Sequence, residues 1–254
     1  MEVHHHAHHG HEKKTWKNYF WEFFMLFLAV FCGSLAELQV EHYVEHQREK
    51  KYAQTLIEDL KNDTLDLSSD LKSWNRMRLR ADTIMLEMEK PVDLRNHCLL
   101  YKHVSQINSN NTFLYHDRTI QQLKSAGNFR LIENKAVADS IIEYDAWIQS
   151  TIHDIESTYG LVLWPEIQRL ENQLFNTKYF KIVKDVSLLD SAYLKFPEKI
   201  KMQTRKADIE FQFYNKVNNH KTLSETRIYY LTATLRRATH LLKLLNKEYH
   251  IDKD

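Results

Sequence analysis

The fold of this chain depends on one apolar stretch near its N-terminus, residues 21–42, which read WEFFMLFLAVFCGSLAELQVEH. Residues 23–36 in its centre carry no charge, and as an α-helix they extend roughly 21 Å. The hydrocarbon layer of a bilayer is about 30 Å thick, so a helix that crosses it must cover about residues 19–40. This longer helix places Glu22 and Glu37 close to the membrane surfaces, where carboxylates reach water. We therefore predict a single transmembrane helix.

The residues that flank this helix predict its orientation. Its first turns carry an aromatic belt typical of a membrane interface, formed by Trp16, Tyr19 and Trp21. The basic residues just before it are Lys13, Lys14 and Lys17. After it, the first basic residue is Arg48. Because basic residues are retained on the cytoplasmic side, we predict a single-pass protein with a cytoplasmic N-terminus. In a Gram-negative bacterium it would lie in the cell inner membrane, with a periplasmic C-terminal domain.

Three other interpretations of the apolar stretch compete with a membrane span. Basic residues, an apolar run and the Ser-Leu-Ala of residues 34–36 are similar to a signal peptide with its cleavage site. A lipoprotein anchor at Cys32 is disfavoured, because the preceding Phe31 is larger than such sites accept. A buried helix of a soluble core is the third alternative. The bulky aromatic side chains and Glu22 argue against cleavage.

The remainder of the chain has the pattern of long helices. The whole chain of 254 residues contains four glycines and three prolines, well below the average usage of about 7% and about 5%. Apolar side chains recur at heptad-like spacing in two segments. The first stripe is Ile57, Leu60, Leu67, Leu71, Trp74, Ala81, Met85 and Met88. The second is Val217, Ser224, Ile228, Leu231, Leu235, Ala238, Leu242, Leu245 and Tyr249. We predict an all-α fold, in which the transmembrane helix is followed by a long-helix bundle; a dimeric coiled coil on the first stripe is the alternative.

The predicted organisation has three parts: a His-rich cytoplasmic tail (1–18), the transmembrane helix (19–40) and a helical extracytoplasmic domain (41–254). Within this domain, the first helix should stop before Pro91. A second helix is expected at about residues 94–107, and the last at about residues 207–249.

Between these helices, short sequence signals mark further boundaries. We expect Gly127 to end a short helix and Asn134 to cap the next one, which carries isoleucines as far as Ile155. Gly160 and Pro165 should break or kink that helix. The section around residue 197 is expected to be less regular.

Two segments of the sequence are similar to an uncharacterised family. They are HQREKKYAQTLIEDLKNDT (residues 46–64) and QLKSAGNFRLIENKAVADSIIEY (residues 122–144). With the preceding membrane helix, they resemble small single-span membrane proteins common in Bacteroidota, a domain of unknown function. The family's Thr/Ser-Gly-Asn-Leu-x-Leu-Ile motif corresponds here to residues 126–132, with Ala126 and Phe129 as departures. The resemblance covers about residues 19–145; it implies the architecture and a membrane location, and no activity.

The N-terminal tail is rich in histidine. Its imidazoles belong to His4, His5, His6, His8, His9 and His11. Neutral imidazoles at this density bind Zn²⁺, Ni²⁺ or Cu²⁺ without a folded frame, so we predict the tail as a metal site; no other cofactor is predicted. An expression tag and a solvated or pH-responsive tail are the alternatives, although the interruptions at Ala7 and Gly10 are unusual for a tag.

A second histidine pattern follows the membrane helix. The sequence HYVEH, residues 42–46, formally matches the inverted zinc-protease signature. In a helix His42 and His46 share one face, and Glu45 would be the base. The pattern is short, lacks an evident third ligand and lies beside the membrane, so contacts with lipid headgroups explain it equally well. Four further imidazoles are interpreted as surface groups: His97, with Cys98, His103, and those of the pairs His116–Asp117 and His153–Asp154.

The remaining candidate is Glu22, which lies at the membrane edge. A carboxylate in that position serves an ion or proton path or simply reaches toward water. The net charge of +1 offers no basic field for nucleic acid, and no catalytic constellation emerges, so we predict no enzyme. The leading hypothesis is a membrane-anchored interaction or scaffold protein with a protein partner or a second copy of itself. Metal handling by the tail and ion coupling by Glu22 are the alternatives.

Overall fold

The structure, a computed structural model, describes residues 15–107, 113–125, 127–152, 163–184, 201–203 and 206–251. These residues form α-helices joined by short turns and 3₁₀ or π-helical segments, and they contain no β-strand. The prediction of an all-α fold is therefore confirmed.

Helix α1, Trp16–Glu89, is the longest element and contains the apolar stretch. It ends before Pro91, as predicted, because proline disfavours a helical residue in front of it. The chain divides into two compact units within this helix, residues 1–51 and 52–254.

The first unit contains the apolar part of α1. An 18-residue window there has a mean hydropathy of 1.9, and none of it is buried in the chain. Large apolar side chains are exposed there, for example those of Phe23 (66%) and Leu26 (68%). The helix is thus long and apolar enough to cross a membrane. Because the described residues do not cover this window, they give no support to the alternative of a buried helix in a soluble core.

In the second unit, the C-terminal half of α1 is followed by helices that are mostly short. They are α2 (His97–Ser105), α3 (Arg118–Ser125), α4 (Lys135–Trp147), α5 (Trp164–Leu174), α6 (Phe180–Lys184) and α7 (Ala207–Tyr249). Helix α4 continues into a π-helical segment, Ile148–Ile152. The bounds of α7 agree with the predicted last helix.

Helices α1 and α7 run antiparallel in this unit. Three contacts connect them in reverse order along the two helices: Glu89–Tyr214, Asp82–Lys221 and Asp70–Arg227. The predicted stripes face the interior, and Leu67 and Leu231 are both fully buried. Because these stripes pack within one chain, the structure favours the bundle interpretation of the first stripe over a dimeric coiled coil.

The core of the second unit consists of two clusters. The first packs α1 from Ala53 to Met77 against α3, α4 and the C-terminal half of α7. The second packs the end of α1 against α2, α5 and the N-terminal half of α7. Burial of these large aliphatic and aromatic side chains is the main stabilising contribution.

Sequence signals placed several helix boundaries correctly. The Asn134 side chain accepts hydrogen bonds from the backbone N–H groups of Ala136 and Val137, so it caps α4 as predicted. Gly127 has a φ of 63°, the left-handed conformation that glycine adopts readily after a helix. Pro165 lies in the first turn of α5, where its missing N–H removes no helical bond. Pro165 therefore belongs to the start of a helix, and the predicted break of the preceding helix falls at residues 153–162, outside the described residues.

Other boundaries differ from the predictions. Helix α2 is shorter than the expected range 94–107, because residues Val92–Leu94 form a separate 3₁₀ turn and the Asn96 side chain caps α2 by accepting from Leu99 N–H. The α-helical part of α4 stops at Trp147. Ile155, Gly160 and the section around residue 197 lie outside the described residues.

Candidate functional site

The structure adds no geometric support for the predicted metal site or the predicted ion site. All six tail histidines, His4, His5, His6, His8, His9 and His11, lie outside the described residues. Glu22 lies on the exposed surface of α1 in the first unit. Among the described residues, no group of three His, Cys, Asp or Glu side chains is arranged to hold a metal ion.

The HYVEH histidines lie on α1 in the first unit. His42 and His46 are exposed on successive turns, and His46 Nδ1 is 3.4 Å from Glu49 Oε2. A zinc protease needs a third ligand around the same ion. The described part of the chain brings no third ligand to this pair, so it gives the protease hypothesis no support.

Three of the histidines interpreted as surface groups, His97, His103 and His116, are partly buried. Burial, with Lys102 and Arg80 nearby, lowers the pKa of His103 to about 4. His116 does not pair with its sequence neighbour Asp117; its Nδ1 lies 3.0 Å from Asp63 Oδ1 on α1. The surface interpretation is therefore wrong for His116, because the segment before α3 turns this residue onto α1. His153 lies outside the described residues.

A buried polar network surrounds Asp63. Its carboxylate accepts hydrogen bonds from the backbone N–H of His116 (2.9 Å) and from the hydroxyl of Tyr144 (2.8 Å). Burial raises the pKa of Asp63, although these hydrogen bonds oppose that shift. Burial beside Asp63 also raises the pKa of the Tyr144 hydroxyl, which therefore stays protonated and acts as a donor. The network thus connects α1, α4 and the segment before α3.

Two further carboxylates hold the same region. Asp59 on α1 accepts from the Arg118 guanidinium (3.0 Å) and from both the N–H and the hydroxyl of Thr119 (3.1 and 2.5 Å). Asp145 on α4 accepts from the Tyr115 hydroxyl (3.1 Å) and pairs with Lys124. Since these carboxylates are occupied by donors of the chain itself, we interpret the network as a structural clamp on residues 113–119.

A cavity lies between α4 and α7, and we call it the α4/α7 groove. Its volume is about 480 Å³, within the range of about 300–1,000 Å³ that is usual for ligand sites. Its lining residues are Ser140, Glu143, Tyr144, Trp147, Tyr229, Ala233, Arg236, Arg237, His240 and Leu241. Small residues, Ala233 and Ser140, stand where larger side chains would close the space between the helices.

The indole of Trp147 is held rigidly in this groove. Its Nε1–H donates to the Thr234 hydroxyl at 2.9 Å, and this hydroxyl donates to the Tyr230 carbonyl at 2.9 Å. Thr234 is fully buried. The Tyr230 ring also contacts the indole, with 5.9 Å between ring centres. Because its polar and apolar contacts both restrain the ring, Trp147 forms a preformed wall of the groove.

Arg237 lies on this wall. Its guanidinium carbon is 3.7 Å from the centre of the Trp147 ring, a close cation–π contact. Its Nη1 also donates to the Ala233 carbonyl at 3.3 Å, one turn earlier in α7. An exposed arginine side chain is usually mobile, but these two contacts orient the side chain of Arg237. The groove thus holds an oriented cation beside an aromatic wall.

The sequence predictions did not include the groove or the aspartate network, although spacing signals for both exist. Asp59, Asp63, Asp66 and Asp70 recur at four-, three- and four-residue steps beside the leucine stripe of α1. In α7, the groove residues also recur at helical spacing: Tyr229, Ala233, Arg236, Arg237 and His240. Such patterns predict that these residues share one face of a helix. They do not predict that α4 packs opposite this face, because that packing depends on contacts between residues distant in sequence.

The comparisons with known proteins assign no function to these sites, so any assignment rests on their geometry. The sequence resemblance to single-span proteins of Bacteroidota stays a prediction. This chain matches no protein-family model, no curated protein and no solved structure.

Proposed function

We propose that this chain is a membrane-anchored interaction protein without catalytic activity, whose helical domain binds a protein partner in the α4/α7 groove. The observation that carries the proposal is the character of the groove. Its accessible rim combines Trp147, Tyr229, Arg236 and Arg237. Tryptophan, tyrosine and arginine are the residues that contribute most binding energy at protein interfaces.

The exposed side chain of Tyr229 supports a protein partner. It is 64% exposed at the edge of the groove, next to Tyr230 at a ring-centre distance of 5.3 Å. An exposed tyrosine offers a large apolar contact and a hydroxyl at small entropic cost. A large side chain that is already restrained by a neighbouring ring loses less freedom on binding.

The anchoring part of the proposal rests on the exposed apolar half of α1. We propose that this helix spans the inner membrane once, with residues 1–18 in the cytoplasm and the helical domain in the periplasm. Lys13, Lys14 and Lys17 support this orientation through the distribution of positive charge. A reporter that is active only outside the cytoplasm, fused to the C-terminus, should be active; a stable but inactive fusion would contradict the orientation.

A comparison of pull-downs tests the interaction role. Full-length tagged protein would be isolated from detergent-solubilised native membranes as wild type, as the groove variant Tyr229→Ser/Arg236→Gln, and as a matched control on α1, Leu65→Ser/Lys72→Gln. Leu65 is 69% exposed, similar to Tyr229, and lies outside the groove. We expect quantitative mass spectrometry to find proteins that wild type and control recover and the groove variant loses. Recovery that is identical for all three would contradict the proposal.

The metal-handling and ion-coupling alternatives concern the tail histidines and Glu22. They remain predictions from the sequence, because no contact among the described residues favours either of them.

A further inference from the structure

We propose that the occupant of the α4/α7 groove is an acidic polypeptide segment, in which a side-chain carboxylate stands beside an aromatic or aliphatic residue. This inference rests on the proposed interaction function and specifies the chemistry of the partner. Three features of the groove lead to it: the oriented guanidinium of Arg237, the balance of charge, and the aromatic wall.

The first feature is the orientation of Arg237. A guanidinium has five N–H donors in one plane. Within the described part of the chain, the Ala233 carbonyl is its only hydrogen-bond acceptor, through Nη1. The contact with Trp147 at 3.7 Å holds the group against the wall of the cavity. A planar acceptor with two oxygens, which a carboxylate provides, matches the donors that remain.

The second feature is the balance of charge. Arg236, Arg237 and His240 line the groove together with a single acidic residue, Glu143. The two guanidinium groups of Arg236 and Arg237 therefore stand against the one carboxylate of Glu143. This balance favours an anion of low charge, such as a carboxylate, over a phosphate dianion, and it disfavours a basic segment.

The third feature is the apolar surface beside these charges. The Trp147 indole, the exposed ring of Tyr229 and the side chain of Leu241 line the same cavity. The small side chain of Ala233 leaves room between them. An aromatic or aliphatic residue next to the carboxylate would fill this space and release water from apolar surface.

The open form of the site favours a polypeptide over a free small molecule. The groove lies between two helices, α4 and α7, and side chains on its rim such as Tyr229 are exposed, so a chain can lie along it with its ends in solvent. Arginine clusters of this kind are one of the recurring modes of recognition of acidic peptide motifs.

Fluorescence anisotropy with defined peptides tests the inference. The probe is a dye-labelled Gly-Ser-Asp-Phe-Asp-Leu-Gly-Ser peptide, titrated with the full-length protein in micelles of a non-ionic detergent. Control peptides replace both aspartates by asparagine, or the Phe and Leu by serine. We expect the asparagine peptide to bind about tenfold more weakly and the serine peptide at least about threefold more weakly, because each lacks one of the two matched chemistries.

Variants of the protein assign the binding to the groove. Arg237→Gln should weaken binding of the aspartate peptide by about fivefold or more, and Arg237→Lys should restore only part of it, because lysine lacks the planar donor fork. Lys243→Gln removes a positive charge from α7 outside the groove and should change the affinity by less than about twofold. Circular dichroism verifies that each variant is folded.

The outcomes separate this inference from the interaction role. Equal affinity for the aspartate and asparagine peptides, or equal losses in Arg237→Gln and Lys243→Gln, would overturn it. Displacement of the peptide by equimolar free phenylacetate would also overturn it, because a small aromatic acid would then be the better occupant. If the aspartate peptide fails to bind while the pull-down still finds groove-dependent proteins, the interaction role stands and the acidic chemistry is wrong.

Discussion

Replacement of Asp63 by alanine should strongly destabilise the helical domain. The side chain of Asp63 is only 1% exposed, and its removal takes the acceptor from the Tyr144 hydroxyl and from the His116 backbone N–H. Each buried donor that loses its acceptor costs about 1–3 kcal/mol. The raised pKa of Asp63 shows that burial disfavours its charged form, so loss of the carboxylate recovers part of this cost. We expect a net loss of about 2–4 kcal/mol in the free energy of unfolding.

Two matched variants test this reasoning. Asp63→Asn should cost only about 1 kcal/mol, because an amide still accepts from the His116 N–H and donates to the Tyr144 hydroxyl. Asp66 lies one turn away, with a side chain 44% exposed and 3.9 Å from His116 Nδ1. Asp66→Ala should change the free energy of unfolding by less than about 0.5 kcal/mol.

The assay is urea unfolding of the full-length protein in non-ionic detergent, followed by circular dichroism. A common slope for all variants allows the midpoints to be compared as free energies. The reasoning would be refuted if Asp63→Ala were as stable as wild type, or if Asp66→Ala lost as much stability as Asp63→Ala.

Three further predictions use the same unfolding assay. Asn134→Ala should cost about 1 kcal/mol, because the side chain caps two N–H groups of the first turn of α4; an unchanged midpoint would contradict the cap. Gly127→Ala should cost about 1 kcal/mol because alanine is strained at a φ of 63°; the added Cβ itself meets no atom within 4 Å. An equally large effect of alanine at the exposed Ser125 would argue against this backbone origin. Burial lowers the pKa of the fully buried His220 from 6.5 to about 4. Between these pH values the unfolded chain therefore binds more protons than the folded chain. The stability that is present above pH 6.5 should fall by up to about 3 kcal/mol toward pH 4. His220→Gln should flatten this decline, leaving the share that His103 contributes in the same direction.

Local chemistry made much of the fold predictable from the sequence. The end of α1 before Pro91, the Asn134 cap and the left-handed Gly127 each follow from the conformational preference of one residue type. The course of α7 follows from a heptad stripe that begins at Val217 and from the absence of glycine and proline in the helix. These signals depend on residues a few positions apart, and so they can be read without knowledge of the fold.

The candidate site was not predictable in the same way. Trp147 and Arg237 are ninety positions apart, and nothing local indicates that their side chains stack. The pairing of His116 with Asp63 also depends on how the segment before α3 folds back onto α1. Sequence reasoning weighted histidine clusters heavily because metal motifs are short and local. The tail histidines lie outside the described residues, and the described part of the chain brings no third ligand to His42 and His46. The groove consists of common residue types.

Site-specific photocrosslinking in native membranes tests the central claim most directly. A photoreactive amino acid would replace Tyr229 in the α4/α7 groove, or Leu65 on the outer face of α1; the two positions are 64% and 69% exposed. A membrane-anchored interaction protein that uses the groove should yield a discrete cross-linked partner from position 229, and Arg237→Gln in the same chain should reduce its amount. No partner band from position 229, or the same bands from both positions, would contradict the claim.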